Sequence, residues 1–391
     1  MAHGVVIVGT GQGGFQLAAS LREGGYPHAI TLVGDEPGLP YQRPPLSKAF
    51  LQAKVDENGM LLRPAAFFER IGATLLAGAA VARIDREGRH VQLASGQMLP
   101  YDHLVLATGA AARKLPVPGA ELQGVYALRG LHDARRLRER LAQARSVAVV
   151  GAGFIGLELA AVARGMGLPM HVLETSSRPL QRALSEPMAL HLKQYHEAQG
   201  TQFHFDTQLA AFEGEHGQLA GLRLLDGRRI DADLVVVAVG VTPNDQLARD
   251  AGLTVSNGIA VDEMLITSDP EISALGDCAS FPLASAGGAR VRIESVQNAV
   301  DQARCIAARL CGQALPYDKV PWFWSEQGSC RVQMAGLAEP EDHAEIEGER
   351  ASGRFSVMRY RHGRLTAVES LNDPAAHMRA RKALAPAAVP A

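Results

Sequence analysis

Two unbroken apolar runs, each opening into a cluster of glycines, organise the chain. Val5-Val6-Ile7-Val8 leads into Gly9-Thr10-Gly11-Gln12-Gly13-Gly14, and Val147-Ala148-Val149-Val150 leads into Gly151-Ala152-Gly153-Phe154-Ile155-Gly156. A short, fully apolar run bounded by glycine reads as a strand buried on both faces, as in a parallel sheet covered by helices. Beyond each cluster the pattern turns helical. Phe15, Leu17, Ala18 and Leu21 predict a helix from about Gly13 to Glu23, ended by Gly24-Gly25, with a strand over Ala29 to Val33. The second unit repeats this with a helix over 155–166 and a strand over 170–174. Leu104 to Gly109 and Leu234 to Gly240 are two further strands that end alike, and Ile272 to Gly276 runs into Asp277.

Between the units lie a linker marked by Pro116 and Pro118 and an Arg-rich helix at about His132 to Gln143. A helix over Val296 to Leu310 follows the second unit. After Pro316 the pattern shortens to alternating strands at Val332 to Leu337, Phe355 to Tyr360 and Leu365 to Glu369, and the Ala/Pro-rich stretch from Ala383 to Ala391 reads as frayed. The predicted architecture is α/β, with two Rossmann-like dinucleotide-binding domains and a C-terminal α+β domain. The first domain is discontinuous (1–112 and 244–318), the second (113–243) is inserted into it, and the third spans 319–391.

The glycine spacing carries the first chemistry. In G-x-G-x-x-G the glycines let the backbone approach a pyrophosphate at the N-terminus of a helix, and an acid about twenty residues on meets the ribose. Asp35 and Glu36 stand there for the first unit and Glu174 for the second. Two such units on one chain imply two dinucleotides, most economically a flavin and a nicotinamide brought together for hydride transfer. An acid for an adenosine ribose argues for FAD over FMN, held without a covalent link. Glu174 favours NADH, because a carboxylate repels a 2′-phosphate, although Arg178 stands close by.

Composition narrows the classes. The 391 residues are 47% hydrophobic and 20% charged with a net charge of −2, which gives no chain-wide field for nucleic acid. No apolar run approaches the roughly 18 residues of a membrane span and no leader pattern opens the chain, so a cytoplasmic location is expected. The cysteines (278, 305, 311 and 330) form no C-x-x-C, and none lies between Leu39 and Leu51. The flavin's electrons must therefore leave by another route than a disulfide. His3, His28, His103 and the other histidines lack ligand spacing, and no metal site is expected.

Several motifs recur together: Tyr41-Gln42-Arg43-Pro44-Pro45-Leu46-Ser47-Lys48, Ala107-Thr108-Gly109, Gly151 to Glu158, Gly276-Asp277-Cys278-Ala279, Glu294-Ser295-Val296-Gln297-Asn298-Ala299, and Pro321-Trp322-Phe323-Trp324-Ser325-Glu326-Gln327. In this order they closely resemble the NADH-dependent ferredoxin reductases of bacterial oxygenase systems, over nearly the whole chain. The sequence stops soon after Arg381-Lys382, earlier than is usual there. The resemblance places Lys48 near flavin N5 with Glu158 opposite, where a cation stabilises the reduced flavin and a carboxylate orients the nicotinamide. It assigns to FAD Gly9, Gly11, Gly13, Gly14, Asp35 or Glu36, Arg43, Val81, Thr108, Gly109, Arg129, Asp277, Glu294, Val296 and Trp324. To NAD it assigns Gly151, Gly153, Ile155, Gly156, Glu158, Glu174 and Gly240.

The implied partner is an acidic 2Fe–2S ferredoxin, bound transiently, which feeds a haem-thiolate monooxygenase or a ring-hydroxylating dioxygenase. Candidate docking cations are Arg304, Arg309, Arg379, Arg381 and Lys382, on a monomer or homodimer. The rival readings are a monodehydroascorbate- or quinone-type reductase and an apoptosis-inducing-factor-like flavoprotein with a binding role.

Overall fold

The computed structural model describes residues 3–385. β1 (Val5–Val8) is buried along its whole length and enters α1 (Gln12–Glu23) through the first glycine cluster. β2 (Ile30–Gly34), β3 (Ala73–Ala77) and β4 (His103–Leu106) complete this part of a parallel sheet. The chain leaves through β5 (Ala110–Ala112).

The second body holds β6 (Val125–Ala127), α2 (Leu131–Leu141), β7 (Val147–Val150), α3 (Phe154–Gly165), β8 (Met170–Leu173), α4 (Glu186–Ala198), β9 (Thr201–His204) and β10 (Leu234–Val237). Its parallel sheet runs β9-β8-β7-β10-β6. The return strand, β11 (Val241–Pro243), pairs antiparallel with β5, so the two crossings form one ribbon. β12 (Ile272–Ala274) then joins the free edge of β4, which gives the order β12-β4-β1-β2-β3.

β1 and β7 thus sit centrally in equivalent sheets. The fifth strand arrives from the far side of the insertion in one and from just before β7 in the other. α5 (Val296–Leu310) matches its predicted span and packs along α1. The last body is an antiparallel sheet of β13 (Trp322–Gln327), β14 (Cys330–Gly336), β15 (His343–Glu349), β16 (Arg354–Arg361) and β17 (Arg364–Leu371), in the order β13-β14-β17-β16-β15, backed by α6 (Pro374–Leu384).

Ala383 and Leu384 close the last turn of α6, whereas the sequence pattern reads them as frayed; positions 386–391 of that stretch lie outside the described residues. The third body is clasped to the second. Glu369 on β17 accepts hydrogen bonds from Ser185 N and Oγ at the head of α4, with Arg359 Nη1 3.1 Å away. Burial raises the Glu369 carboxyl above its ordinary range despite these donors. Among the described residues no helix is long and apolar enough to cross a membrane, and no group of His, Cys, Asp or Glu is placed to hold a metal.

Candidate active site

The two glycine clusters fold into near-identical turns. Gly9 and Gly151 both have positive φ (117° and 108°), and each donates its N–H to the end of the adjacent strand, to Val33 O at 2.7 Å and Leu173 O at 2.8 Å. Gly14 and Gly156 press on Gly9 O and Gly151 O so closely that a Cβ would stand about 2 Å away. Gly11 and Gly153 differ from these: a Cβ built on either meets nothing within 4 Å. Neither α1 nor α3 has a side-chain cap, whereas α4, α5 and α6 are capped by Ser185, Ser295 and Asp373. Open space beside uncapped N–H groups at the positive end of a helix fits a pyrophosphate. The residues present therefore fit a dinucleotide at each turn.

Around the first turn stands a ring of polar side chains. Glu36 lines the cavity beside Thr10 and Gly11, with Leu39, Tyr41 and Arg43. Asp35 is exposed and absent from that lining. Glu36 accepts from Tyr41 Oη at 2.5 Å and pairs with Arg43. Burial works against its charge, but Arg43 and Tyr41 outweigh it and hold the carboxyl below its ordinary value. Burial, with Glu36 alongside, pushes the Tyr41 phenol up, so it remains a donor.

Arg43 Nη1 donates to Arg129 O, and Arg129 Nη2 meets Asp277 Oδ2 at 2.8 Å, joining the second body to the first. Thr108 and Asn244 exchange two hydrogen bonds, 2.6 and 2.9 Å, where the two crossings meet; Gly109 and Gly240 there have positive φ. Val296 opens α5, and exposed Glu294 pairs with Arg292 at 2.7 Å. Val81 starts a separate antiparallel sheet and packs half-buried on the first core.

At the second turn, Glu174 follows β8 directly and accepts from Ala152 N and Ser176 N at 2.8 and 2.9 Å. Arg178 is tied into its own loop, where it donates to Leu184 O and Gln181 O. Ile155 is 42% exposed.

The three bodies converge on Glu158. It lies on α3, 2% exposed, and its Oε2 is 2.7 Å from Lys48 Nζ. Lys48 follows a 3-10 turn over Pro44–Ser47, whose prolines set φ for that turn, and Ser47 Oγ donates to the same oxygen. Ser325 Oγ, from β13, donates to Oε1 at 2.7 Å. Each donor lowers the cost of holding the carboxylate in the interior.

Ser47 and Ser325 lie inside quoted motifs but carry no role in the sequence reading. The available signal was alternation along β13, which sends Phe323, Ser325 and Gln327 to one face. Phe323 there meets Phe154 of α3 at 4.8 Å between ring centres. Trp324 shares the other face with Trp322, 5.6 Å away, and with Arg381, which stacks 4.8 Å over Trp322. One docking candidate is corrected. Arg309 turns inward, half-buried, and donates to Ser273 Oγ at 2.6 Å beside buried His103, so its guanidinium is directed away from the surface. Arg304 is exposed and meets Asp301 at 3.3 Å; Arg379 and Lys382 are also exposed.

The chain matches the pyridine nucleotide-disulphide oxidoreductase model over residues 3–303 and the reductase C-terminal model over residues 322–391. It is 50% identical over 381 residues to rhodocoxin reductase of Rhodococcus erythropolis, covering 97% of this chain and 89% of that protein. Its fold matches the ferredoxin reductase for the CYP199A2 system from Rhodopseudomonas palustris with a TM-score of 0.95 and 46% identity, covering 97% of this chain and 93% of that one. Against the covalent putidaredoxin reductase–putidaredoxin complex the TM-score is 0.94 at 38% identity, covering 98% and 93%.

Proposed function

The chain belongs to the pyridine nucleotide-disulphide oxidoreductase family, and from that premise we propose an FAD-dependent reductase that passes electrons from NADH to a 2Fe–2S ferredoxin serving an oxygenase. Bound FAD supplies a hydride acceptor that can release its electrons singly. The flavin domain is assigned to 1–112 and 244–318, the nicotinamide domain to 113–243. The observation that carries the reading is the pair of half-buried Lys48 with buried Glu158, made where all three bodies meet. All four cysteines are free thiols, so no disulfide competes as the electron outlet.

Each residue group has a physical task. Gly11 and the head of α1 leave room and free N–H groups for the FAD pyrophosphate, while Glu36, rather than Asp35, faces the ribose. Arg43, Arg129 and Asp277 line the same path, with Thr108 and Gly109 at the crossing. Lys48 places a cation beside the flavin ring, and Glu158 keeps that cation in one place. Gly153 and Glu174 serve NADH. Phe323 brings apolar bulk from the third body against α3 to exclude water, while Trp322 and Trp324 lie on the opposite face of β13.

The ferredoxin is read as acidic, docking near Arg304, Arg379, Arg381 and Lys382, in a cytoplasmic setting. Two measurements test the whole reading: the identity of the flavin released by heat, and cytochrome c reduction with a panel of ferredoxins beside quinones and the ascorbate radical. FAD and turnover with at least one ferredoxin are expected. FMN, or faster turnover with the small acceptors than with every ferredoxin, overturns it.

A further inference from the structure

Glu158 is also the end of a hydrogen-bonded line that runs away from Lys48. Ser325 Oγ lies 2.7 Å from Glu158 Oε1, Gln327 Nε2 lies 3.3 Å from Ser325 Oγ, and His196 Nε2 lies 2.9 Å from Gln327 Oε1. Ser325, Gln327 and His196 are fully buried, at 0% exposure. The line starts on α4 of the second body, crosses β13 of the third and ends on α3, facing the turn of the first.

Its polarity follows from donor chemistry. An ionised carboxylate only accepts, so the single hydroxyl proton of Ser325 goes to Glu158. Ser325 Oγ must then accept from the amide nitrogen of Gln327, which leaves Gln327 Oε1 to accept from His196 Nε2–H. The reverse orientation would set two acceptors 2.7 Å apart at Glu158. His196 fits the end of such a line. Burial holds its pKa below the ordinary value, so the ring stays neutral with one N–H, and its buried Nδ1 has no partner.

We propose that Ser325, Gln327 and His196 are positioning residues that act through Glu158: the line fixes its carboxylate as an oriented anion and so fixes Lys48 against the flavin. This rests on the reductase reading. It makes the third body part of the hydride-transfer apparatus as well as a surface for the electron acceptor. It also predicts dependence. Ser325 should matter only while Glu158 carries a charge.

The test combines stopped-flow reduction of the flavin by NADH with the midpoint potential of the bound FAD. The variants are Ser325→Ala, Ser325→Thr, Gln327→Met and Glu158→Gln, with Ser325→Ala also made in the Glu158→Gln background. Ser325→Ala should slow the limiting reduction roughly tenfold, the scale of one hydrogen bond to a buried charge. The potential should move in the same direction as in Glu158→Gln, and by less. Ser325→Thr, which keeps the hydroxyl, should restore both values. Gln327→Met should give a smaller change of the same sign and stands in should Ser325→Ala fail to fold.

In the Glu158→Gln background the alanine should add nothing. A Ser325→Ala or Gln327→Met protein that loses thermal stability but keeps the wild-type potential and rate overturns the inference and leaves the reductase reading intact. Wild-type protein that holds no FAD, or FAD that NADH does not reduce, overturns both.

Discussion

The first and second glycine turns share their geometry but differ in what covers them. A Cβ on Gly13 would stand 2.3 Å from Leu275 Cδ1, because α5 and the end of β12 close over α1. The matching residue of the second turn is Ile155, whose side chain reaches solvent. The acids differ too. Glu36 is locked into a Tyr41–Arg43 network that continues to Arg129 and Asp277, whereas Glu174 meets mainly the backbone of its own turn and loop. One motif therefore builds two kinds of site. A site sealed by a second helix and a charge network suits a resident FAD, and a site with an open flank suits a nucleotide that must leave every cycle.

Alanine at the open glycine of each turn is the strongest way to break this contrast. Gly11→Ala should fold, since nothing in the protein occupies that space, yet hold FAD about two powers of ten more weakly, so the protein elutes from gel filtration nearly colourless. Gly153→Ala should stay yellow and show its loss in the KM for NADH. Equal flavin loss in both would erase the distinction.

Next in size is the acid of the open site. NADH should be strongly preferred over NADPH, and Glu174→Ala should narrow the kcat/KM ratio by roughly one to two powers of ten. Arg178 is occupied by carbonyls and should not compensate.

Acid should also act on the closed body. Burial first, then Arg309, pushes the His103 pKa down to about 3. The neutral ring is favoured in the fold, so its contribution is present above the unfolded value near 6.5 and is lost as pH falls towards about 3. Between pH 6.5 and 5.5 it should account for about 1 kcal/mol of lost stability. Urea titrations of wild type and His103→Gln, whose amide does not titrate, should diverge by that amount over the same interval.

The smallest expected effect separates two arginines on α5. Arg304→Glu should raise the apparent KM for ferredoxin a few-fold, with a steep dependence on salt between about 50 and 300 mM, and leave NADH–ferricyanide turnover alone. Arg309→Glu should instead lower the melting temperature, because it buries a carboxylate beside Ser273 and His103. Salt-insensitive ferredoxin turnover would count against docking on exposed charge.

The sequence was most legible where one element's own pattern decides its fate. β1 and β7 are apolar throughout because both faces of their sheets are covered, and α5 runs over its predicted span because its buried stripe is regular. That stripe also contained the answer for Arg309, which shares a face with buried Gln302 and Ile306. β15 (HAEIEGE) was invisible: an exposed edge strand needs almost no apolar residue. The antiparallel strands at 90–100 and 209–231, half-exposed and joined by tight turns, were missed likewise. At the site, Lys48 and Glu158 came from the resemblance. Ser47 and Ser325 reach Glu158 across 111 and 167 residues of chain, and no periodicity encodes a contact of that separation.

The ribbon of β5 and β11 has a mechanical consequence. Because the two crossings are zipped side by side, tension applied between β1 and α6 would bypass the second body, whose ends are already held together. The load would fall first on the first and third bodies and on the crossing itself, where Thr108 meets Asn244. The second body would hang as a slack, still-folded loop until that short ladder tore.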